Sequence, residues 1–224
     1  MEPFVLIGVV AVVVLAVTVH ESAHAWVADR LGDPTARALG RVTLNPLPHV
    51  DLFMTILLPA ILFLVHSPVI FGGAKPVPVD MRNFRHPWRD NAIVAAAGPV
   101  SNFLQALFWA GLLSVLLRTG LWTEESMGVK VLGWGIVVNV LLALFNLLPL
   151  PPLDGSRIVM WMLGPEARRG YLRLEAFGLL ILLGLFFFVP GFQLFLMTTL
   201  YHVTDFVVGL VGLPMSAYHL FTLL

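Results

Sequence analysis

The chain has 224 residues, of which 58% are hydrophobic and only 12% charged, and its mean hydropathy is +0.91. Soluble globular domains carry about 25% charged residues, so this composition indicates a protein of the lipid bilayer, with no polar block for an added soluble domain. The formal net charge of zero gives no indication of a nucleic-acid partner, and the absence of cysteine excludes disulfides and thiolate metal ligands.

Six apolar segments follow one another along the chain. Five of them are predicted to form about five spanning helices, at 4–27, 92–117, 131–148, 174–189 and 192–213. The remaining segment, 52–65, is shorter and contains Pro59, which predicts a re-entrant or surface-lying segment near 52–71. Pro190-Gly191 predicts a tight turn between the last two helices. The sequence therefore predicts an all-α polytopic membrane protein with short extended loops.

The lysine and arginine residues indicate the orientation of these helices. If the segment near 52–71 does not cross the membrane, 29–91 and 150–173 lie on one side with eleven of the 13 basic residues, and Arg118 and Lys130 lie on the other. If it crosses, the division is only eight against five. The stronger bias favours the re-entrant arrangement, with the basic side in the cytosol. The excess of arginine over lysine, 11 to 2, favours a prokaryotic cell membrane.

The first predicted helix ends in a cluster of polar side chains, His20-Glu21-Ser22-Ala23-His24. Histidines four residues apart lie on one helical face, so both imidazoles can reach one metal ion. Glu21 is suited to act as general base on a metal-bound water. Ionisable side chains are costly at membrane depth, and three within five positions indicate a function. The alternative is a pair of interfacial histidines at a helix end.

A catalytic zinc site usually has three protein ligands, and Asp154 is the strongest candidate for the third. It lies in Asn146-Leu147-Leu148-Pro149-Leu150-Pro151-Pro152-Leu153-Asp154-Gly155, where the prolines break the helix and the glycine permits a turn. Irregular backbone at membrane depth is tolerated where it lines a cavity. In the predicted topology Asp154 and His24 lie at the same ends of their helices and can meet. Alternatively, Asp154 caps a helix that begins near Ser156.

These segments resemble the motifs of the site-2 protease family of intramembrane zinc metalloproteases. Residues 20–24 are similar to the zinc-binding helix of the family, and residues 146–155 to its second motif, whose aspartate is the third zinc ligand. Gly98-Pro99-Val100-Ser101-Asn102 resembles a third element, at the start of the intervening core helix. The helix pair after residue 174 matches no motif of the family.

The resemblance implies a zinc endopeptidase that hydrolyses peptide bonds in or near transmembrane segments, in regulated intramembrane proteolysis. Zn²⁺ would be held by His20, His24 and Asp154, with Glu21 as the catalytic base. Asn146 is implied to engage the substrate backbone, and Asn102 to support the site. Hydrogen bonding between helices is the alternative for both asparagines.

The resemblance also implies a domain organisation and a set of partners. We expect one membrane-embedded protease domain over 1–224, in a compact form without a PDZ or CBS domain. Its catalytic core is expected at about 4–160 and a C-terminal helix pair at about 174–213. The expected partners are transmembrane protein substrates and the lipid bilayer, but no nucleic acid.

Three other polar groups have more than one interpretation. His49 and Asp51 are alternative ligands or outer-sphere groups of the metal, although such residues more often cap a turn. Residues 72–79 are extended by alternating prolines, and pair with an unwound substrate strand or form a surface linker. His202 and Asp205 lie three residues apart, and we expect a local hydrogen-bonded pair.

Two other functions also place histidine and aspartate in a membrane. A metal-ion transporter needs a polar path across the bilayer, whereas the outer halves of the helices predicted at 4–27 and 131–148 are almost wholly apolar. A proteolytically inactive relative would bind membrane partners, but it would not need Glu21, which is intact.

The topology can be tested with cysteines introduced near Arg41, Arg85 and Glu124. We expect membrane-impermeant thiol reagents to label the first two sites from the cytosolic side and the third from the opposite side, because this arrangement gives the stronger basic bias. Labelling of the sites near Arg41 and Arg85 from opposite sides would contradict the re-entrant arrangement.

Overall fold

The computed structural model describes residues 2–57, 61, 64–65 and 72–224. This part of the chain is helical and contains no β-strand, so the predicted all-α membrane fold is confirmed. Its α-helices run in the order α1 Pro3–Arg30, α2 Thr35–Ala38, α3 Pro87–Arg118, α4 Met127–Asn146, α5 Asp154–Met162, α6 Pro165–Arg173, α7 Gly178–Phe188, α8 Phe192–Leu210 and α9 Ala217–Leu223. Short 3₁₀ turns occur at Leu47–His49, Met81–Asn83 and Leu174–Phe177, and a π-helical turn at Leu52–Leu57.

Four helical stretches in the described residues are long and apolar enough to cross a membrane: Pro3–Arg30, Pro87–Arg118, Met127–Asn146 and Pro165–Phe188. Each contains or overlaps one of the predicted apolar segments. The fifth predicted segment forms α8, which is helical over 19 residues but is not among these four. Gly191 makes the predicted turn before α8, with a φ of 90° that favours glycine. Most of the predicted re-entrant segment near 52–71 lies outside the described residues.

Helices α1, α3 and α4 pack against one another through small side chains. Ala16 of α1 and Ala106 and Ala110 of α3 are fully buried. Between membrane helices, lipid tails are as apolar as leucine, so close van der Waals packing of small residues holds helices together. The close approach of α1 and α3 brings His20 and His24, near the end of α1, against Gly98 of α3. Helices α8 and α9 cover the other side of α4, for example through Leu200 and Leu220.

A buried carboxylate ties the end of α1 to the loop that precedes α3. Asp33 is fully buried, and its Oδ1 accepts hydrogen bonds from the backbone N and the Oγ1 of Thr35 (3.1 and 2.5 Å) and from Nδ2 of Asn83 (2.8 Å). Its Oδ2 accepts from the backbone N of Asp80 (2.7 Å). Burial raises the pKa of Asp33, but the hydrogen bonds from Thr35, Asn83 and Asp80 outweigh it, so that the pKa lies below its usual value.

The extended segment 72–79 is held in place by the loop that follows α2. The buried guanidinium of Arg41 donates from Nη2 to the carbonyl oxygens of Lys75 (2.8 Å) and Pro76 (2.9 Å). The backbone N of Lys75 donates to the carbonyl oxygen of His49 (2.8 Å). These bonds fix the segment beside the end of α1 that carries His20 and His24, although it forms no regular strand.

Asp33→Asn should lower the stability of the protein. The substitution places an NH₂ group among donors and leaves buried N–H groups unpaired, at about 1–3 kcal/mol. Because the pKa of Asp33 is depressed in the folded state, its stabilisation is present above the ordinary carboxyl pKa and disappears as pH falls through the folded-state value. Thermal unfolding in detergent at several pH values measures this. Glu166→Gln, at an exposed carboxylate of α6, is the control. Equal melting temperatures for wild type and Asp33→Asn at neutral pH would contradict the prediction.

Candidate metal centre

Three side chains from distant parts of the sequence meet at one point. His20 and His24 lie one turn apart on α1 and are both buried, and Asp154 is the first residue of α5. The two Nε2 atoms are 3.0 Å apart, and the Oδ2 of Asp154 lies 3.3 Å from each of them. Within the described residues, these three form the only group of three or more potential ligands that could hold a metal ion.

The geometry fits a tetrahedral metal ion. Zinc bonds of about 2.0–2.1 Å to nitrogen and oxygen place neighbouring tetrahedral ligands about 3.3 Å apart. The three observed separations are close to this value. The Oδ2 of Asp154 is buried and has no partner in hydrogen-bonding geometry in the described part of the chain. A cation between the three atoms would satisfy this carboxylate, which would otherwise be costly to bury.

Both imidazoles present the nitrogen that a metal requires. The Nδ1 of His20 lies 2.5 Å from the Oδ1 of Asn102, and the Nδ1 of His24 lies 2.7 Å from the carbonyl oxygen of Val94. Both partners are oxygen atoms that only accept hydrogen bonds, so each Nδ1 carries the proton of the neutral ring. Each Nε2 then has a free lone pair that is directed at the centre. Outer partners of this kind orient metal-binding histidines.

Two glycines provide the space in which these ligands meet. A Cβ atom on Gly98 of α3 would lie 2.6 Å from the Nε2 of His20 and would also overlap the ring of His24. A Cβ atom on Gly155 would overlap the carbonyl oxygens of Leu147 and Leu148. Gly98 therefore allows α3 to pass directly behind the histidines, and Gly155 allows the chain after α4 to fold back and present Asp154.

A cavity of about 680 Å³ opens onto the three ligands. Glu21 and Asn146 line it beside them, together with the extended segment 72–79 and the apolar side chains of α7. The Nδ2 of Asn146 donates to the carbonyl oxygen of Leu142 in its own helix (3.0 Å). Asn102, by contrast, is fully buried behind His20 and is not part of the cavity wall. The two predicted asparagines thus occupy different positions, one at the cavity and one behind a ligand.

The other polar groups singled out in the sequence lie elsewhere. The Nε2 of His49 lies 3.1 Å from the carbonyl oxygen of Thr43 and 3.4 Å from the Oγ of Ser22, and Asp51 accepts from the backbone N of Phe53 (3.0 Å). Neither belongs to the ligand group.

The pair expected in the last long helix is not formed in the described residues. Asp205 accepts a hydrogen bond from the backbone N of Ala217 (3.2 Å), and the ring of His202 packs edge-on against Tyr201. That prediction was wrong because the turn after α8 brings the start of α9 within reach of the carboxylate.

Several residues that support the centre belong to no motif of the sequence. Arg41 and Asp33 hold the cavity-lining loop through backbone groups, which no motif indicates. Asn139 is fully buried in α4 and accepts a hydrogen bond from Asn102 (2.9 Å). A signal for it was present, because an asparagine inside an apolar span is unusual.

Comparison with known proteins agrees with this geometry. The model of peptidase family M50 matches residues 121–190. The protein named "Putative zinc metalloprotease YwhC" of Bacillus subtilis is 41% identical over 180 residues, which cover 79% of this chain and 78% of the relative. "Putative zinc metalloprotease Rip2" of Mycolicibacterium smegmatis is 29% identical over 206 residues, covering 90% of this chain and 74% of the relative.

No solved structure gives a significant match. The identity to the Bacillus protein nevertheless extends over more than three quarters of both chains. The chain therefore belongs to peptidase family M50, the site-2 protease family.

Proposed function

We propose that this protein is an intramembrane zinc endopeptidase whose metal is held by His20, His24 and Asp154. The observation that carries the proposal is the meeting of three ligand atoms at tetrahedral spacing beside an open cavity. The names of the Bacillus and Mycolicibacterium relatives, which describe zinc metalloproteases, support zinc as the metal. The proposed protease domain extends over 1–224, with the core at about 4–160.

The metal ligands and Glu21 would have separate roles in hydrolysis. Zn²⁺ held by His20, His24 and Asp154 would supply Lewis acidity that activates a water molecule and polarises the scissile carbonyl. Glu21 would take a proton from the attacking water and deliver it to the leaving amine. Glu21 lines the same cavity as His20, His24 and Asp154, which supports this role.

The cavity suits a substrate segment that has left its helical form. The backbone groups of a transmembrane helix are occupied by internal hydrogen bonds, so the helix must unwind before its carbonyl can be attacked. The extended segment 72–79 lines the cavity and offers backbone groups to such a strand. The apolar side of the cavity comes from α7, for example Leu182 and Phe186. We therefore propose transmembrane segments as the substrates.

The proposed location is a prokaryotic cell membrane, with the metal centre toward the cytosol. Asp154 begins the stretch that carries Arg157, Arg168, Arg169 and Arg173, and the basic side of a membrane protein faces the cytosol. Water can then reach Glu21 from that side without crossing the bilayer.

The proposed ligand set predicts how metal content responds to substitution. His20→Ala, His24→Ala and Asp154→Ala should each lower bound zinc at a fixed chelator concentration, because each leaves an incomplete shell. Glu21→Gln should bind zinc like wild type but lose cleavage of model transmembrane peptides. Elemental analysis and peptide cleavage on the same purified samples measure both. Full zinc content and full activity in Asp154→Ala would show that the third ligand is wrong, and His49 and Asp51 would be tested next.

Asn146 should act on the substrate rather than on the fold. Its Oδ1 has no hydrogen-bond partner in the described part of the chain, and it can accept from the backbone N–H of an unwound substrate. Asn146→Ala and Asn146→Leu should lower turnover by up to about 10-fold, because one hydrogen bond between neutral groups contributes about 0.5–1.5 kcal/mol. Zinc content and melting temperature should be unchanged.

Substrates that contain glycine or proline near the cut should recover part of this loss, because less binding energy is needed to open them. Asn45→Ala, at an exposed asparagine outside the cavity, is the control. If Asn146 only stabilises the helices, its variants will melt earlier and keep wild-type turnover per zinc-loaded molecule.

A further inference from the structure

Two buried asparagines connect the metal centre to the interior of the helix bundle. Asn102 of α3 and Asn139 of α4 are both fully inaccessible to solvent. The Nδ2 of Asn102 donates to the Oδ1 of Asn139 (2.9 Å), and the Nδ2 of Asn139 donates to the carbonyl oxygen of Gly135 (2.9 Å). At the other end, the Oδ1 of Asn102 lies 2.5 Å from the Nδ1 of His20. The chain of bonds thus runs from a backbone carbonyl to a ligand.

The direction of every bond in this chain is fixed by its far end. The carbonyl oxygen of Gly135 can only accept, so the NH₂ group of Asn139 must face it, and the Oδ1 of Asn139 must face Asn102. Asn102 therefore donates from its NH₂ group to Asn139, and the Nδ2 of that group also lies 3.3 Å from the carbonyl oxygen of Ala16. Its Oδ1 is therefore left for His20, and the proton of the neutral imidazole must lie on Nδ1.

The position of Asn139 excludes a direct role in binding or cleavage. It is not part of the cavity wall, and Asn102 lies between it and His20. Hydrogen bonds between membrane helices contribute only about 0.6 kcal/mol on average, so helix association alone is a weak reason to bury two amides here. An acceptor at residue 139 has a more specific consequence. Without it, only the longer contact with the carbonyl oxygen of Ala16 (3.3 Å) opposes rotation of the Asn102 amide, which can then direct its NH₂ group at His20.

We propose that Asn139 is a positioning residue that, through Asn102, holds His20 in the Nδ1–H tautomer and so presents Nε2 to the metal. A rotated Asn102 would favour the opposite tautomer, in which Nε2 carries the proton and cannot bind a cation. The inference rests on the proposed function only in taking His20 as a metal ligand. Asn139, on α4, would then affect the centre although it touches neither the metal nor the substrate.

The test compares an isosteric apolar variant with an acidic one. Asn139→Leu removes the acceptor, whereas Asn139→Asp keeps it. Purified full-length variants are titrated with Zn²⁺ against a competing chelator, and the visible absorption of the Co²⁺-loaded forms is recorded. We expect Asn139→Leu to bind Zn²⁺ about 10- to 100-fold more weakly, as loss of an outer partner does, and to show an altered Co²⁺ spectrum. Asn139→Asp should stay closer to wild type in both.

A purely structural role predicts the opposite order. Leucine suits an apolar bundle, whereas a buried carboxylate destabilises it, so Asn139→Leu would keep wild-type zinc affinity and Asn139→Asp would lose it. That order would overturn the proposal, as would wild-type affinity and spectra in both variants. Asn139→Ala, which lacks the acceptor and adds no bulk, replaces the leucine variant if that one does not fold. Thr204→Val is the control for removing a fully buried polar group, on a helix that carries no candidate ligand and at a residue outside the cavity wall.

The outcome is separable from that of the proposed function. If His20→Ala binds Zn²⁺ as wild type does, the proposed ligand set is wrong. If His20→Ala loses affinity and Asn139→Leu does not, only the inference about Asn139 is wrong.

Discussion

Three lone-pair-bearing atoms face one another at the buried end of α1, and each repels the others unless a cation lies between them. The two Nε2 atoms and the Oδ2 of Asp154 lie within 3.0–3.3 Å of one another. The proton of each imidazole lies on Nδ1, on the side away from this point, because each Nδ1 is paired with an oxygen that only accepts. In a medium of low dielectric this arrangement is costly. A cation between the three atoms would remove this cost and would account for the arrangement of the residues around them.

The helix packing supplies that environment through small residues. Gly98 permits α3 to pass close behind both histidines, and the small side chain of Ala16 permits α1 to approach α3. Gly155 closes the turn that returns Asp154 to α1. On the cytosol-facing side of the proposed topology, Asp33 and Arg41 fasten the loop that forms the opposite wall of the cavity. Helices α1 and α5 carry the three candidate ligands, and α3, α4, α7 and the segment 72–79 complete the wall of the cavity.

Much of this could be predicted from the sequence, because its signals are local. Apolar length predicted the spanning helices, and the spacing of His20 and His24 placed both on one face of α1. Pro149 and Gly155 indicated the irregular turn before Asp154. The remaining features depend on which atoms meet in space. The bond between Asn102 and Asn139 joins residues 37 positions apart. Asp205 accepts from the backbone N of Ala217, which a later turn brings within reach, and not from His202 as expected.

Zinc K-edge X-ray absorption on the zinc-loaded protein tests the central claim, that two histidines and one aspartate hold the metal. The account predicts a four-coordinate ion with two imidazole nitrogens and the remaining ligands oxygen, at about 2.0–2.2 Å. The multiple scattering of imidazole rings allows the histidines to be counted. Three or more imidazoles would contradict it, since His49 or another histidine would then complete the shell in place of Asp154.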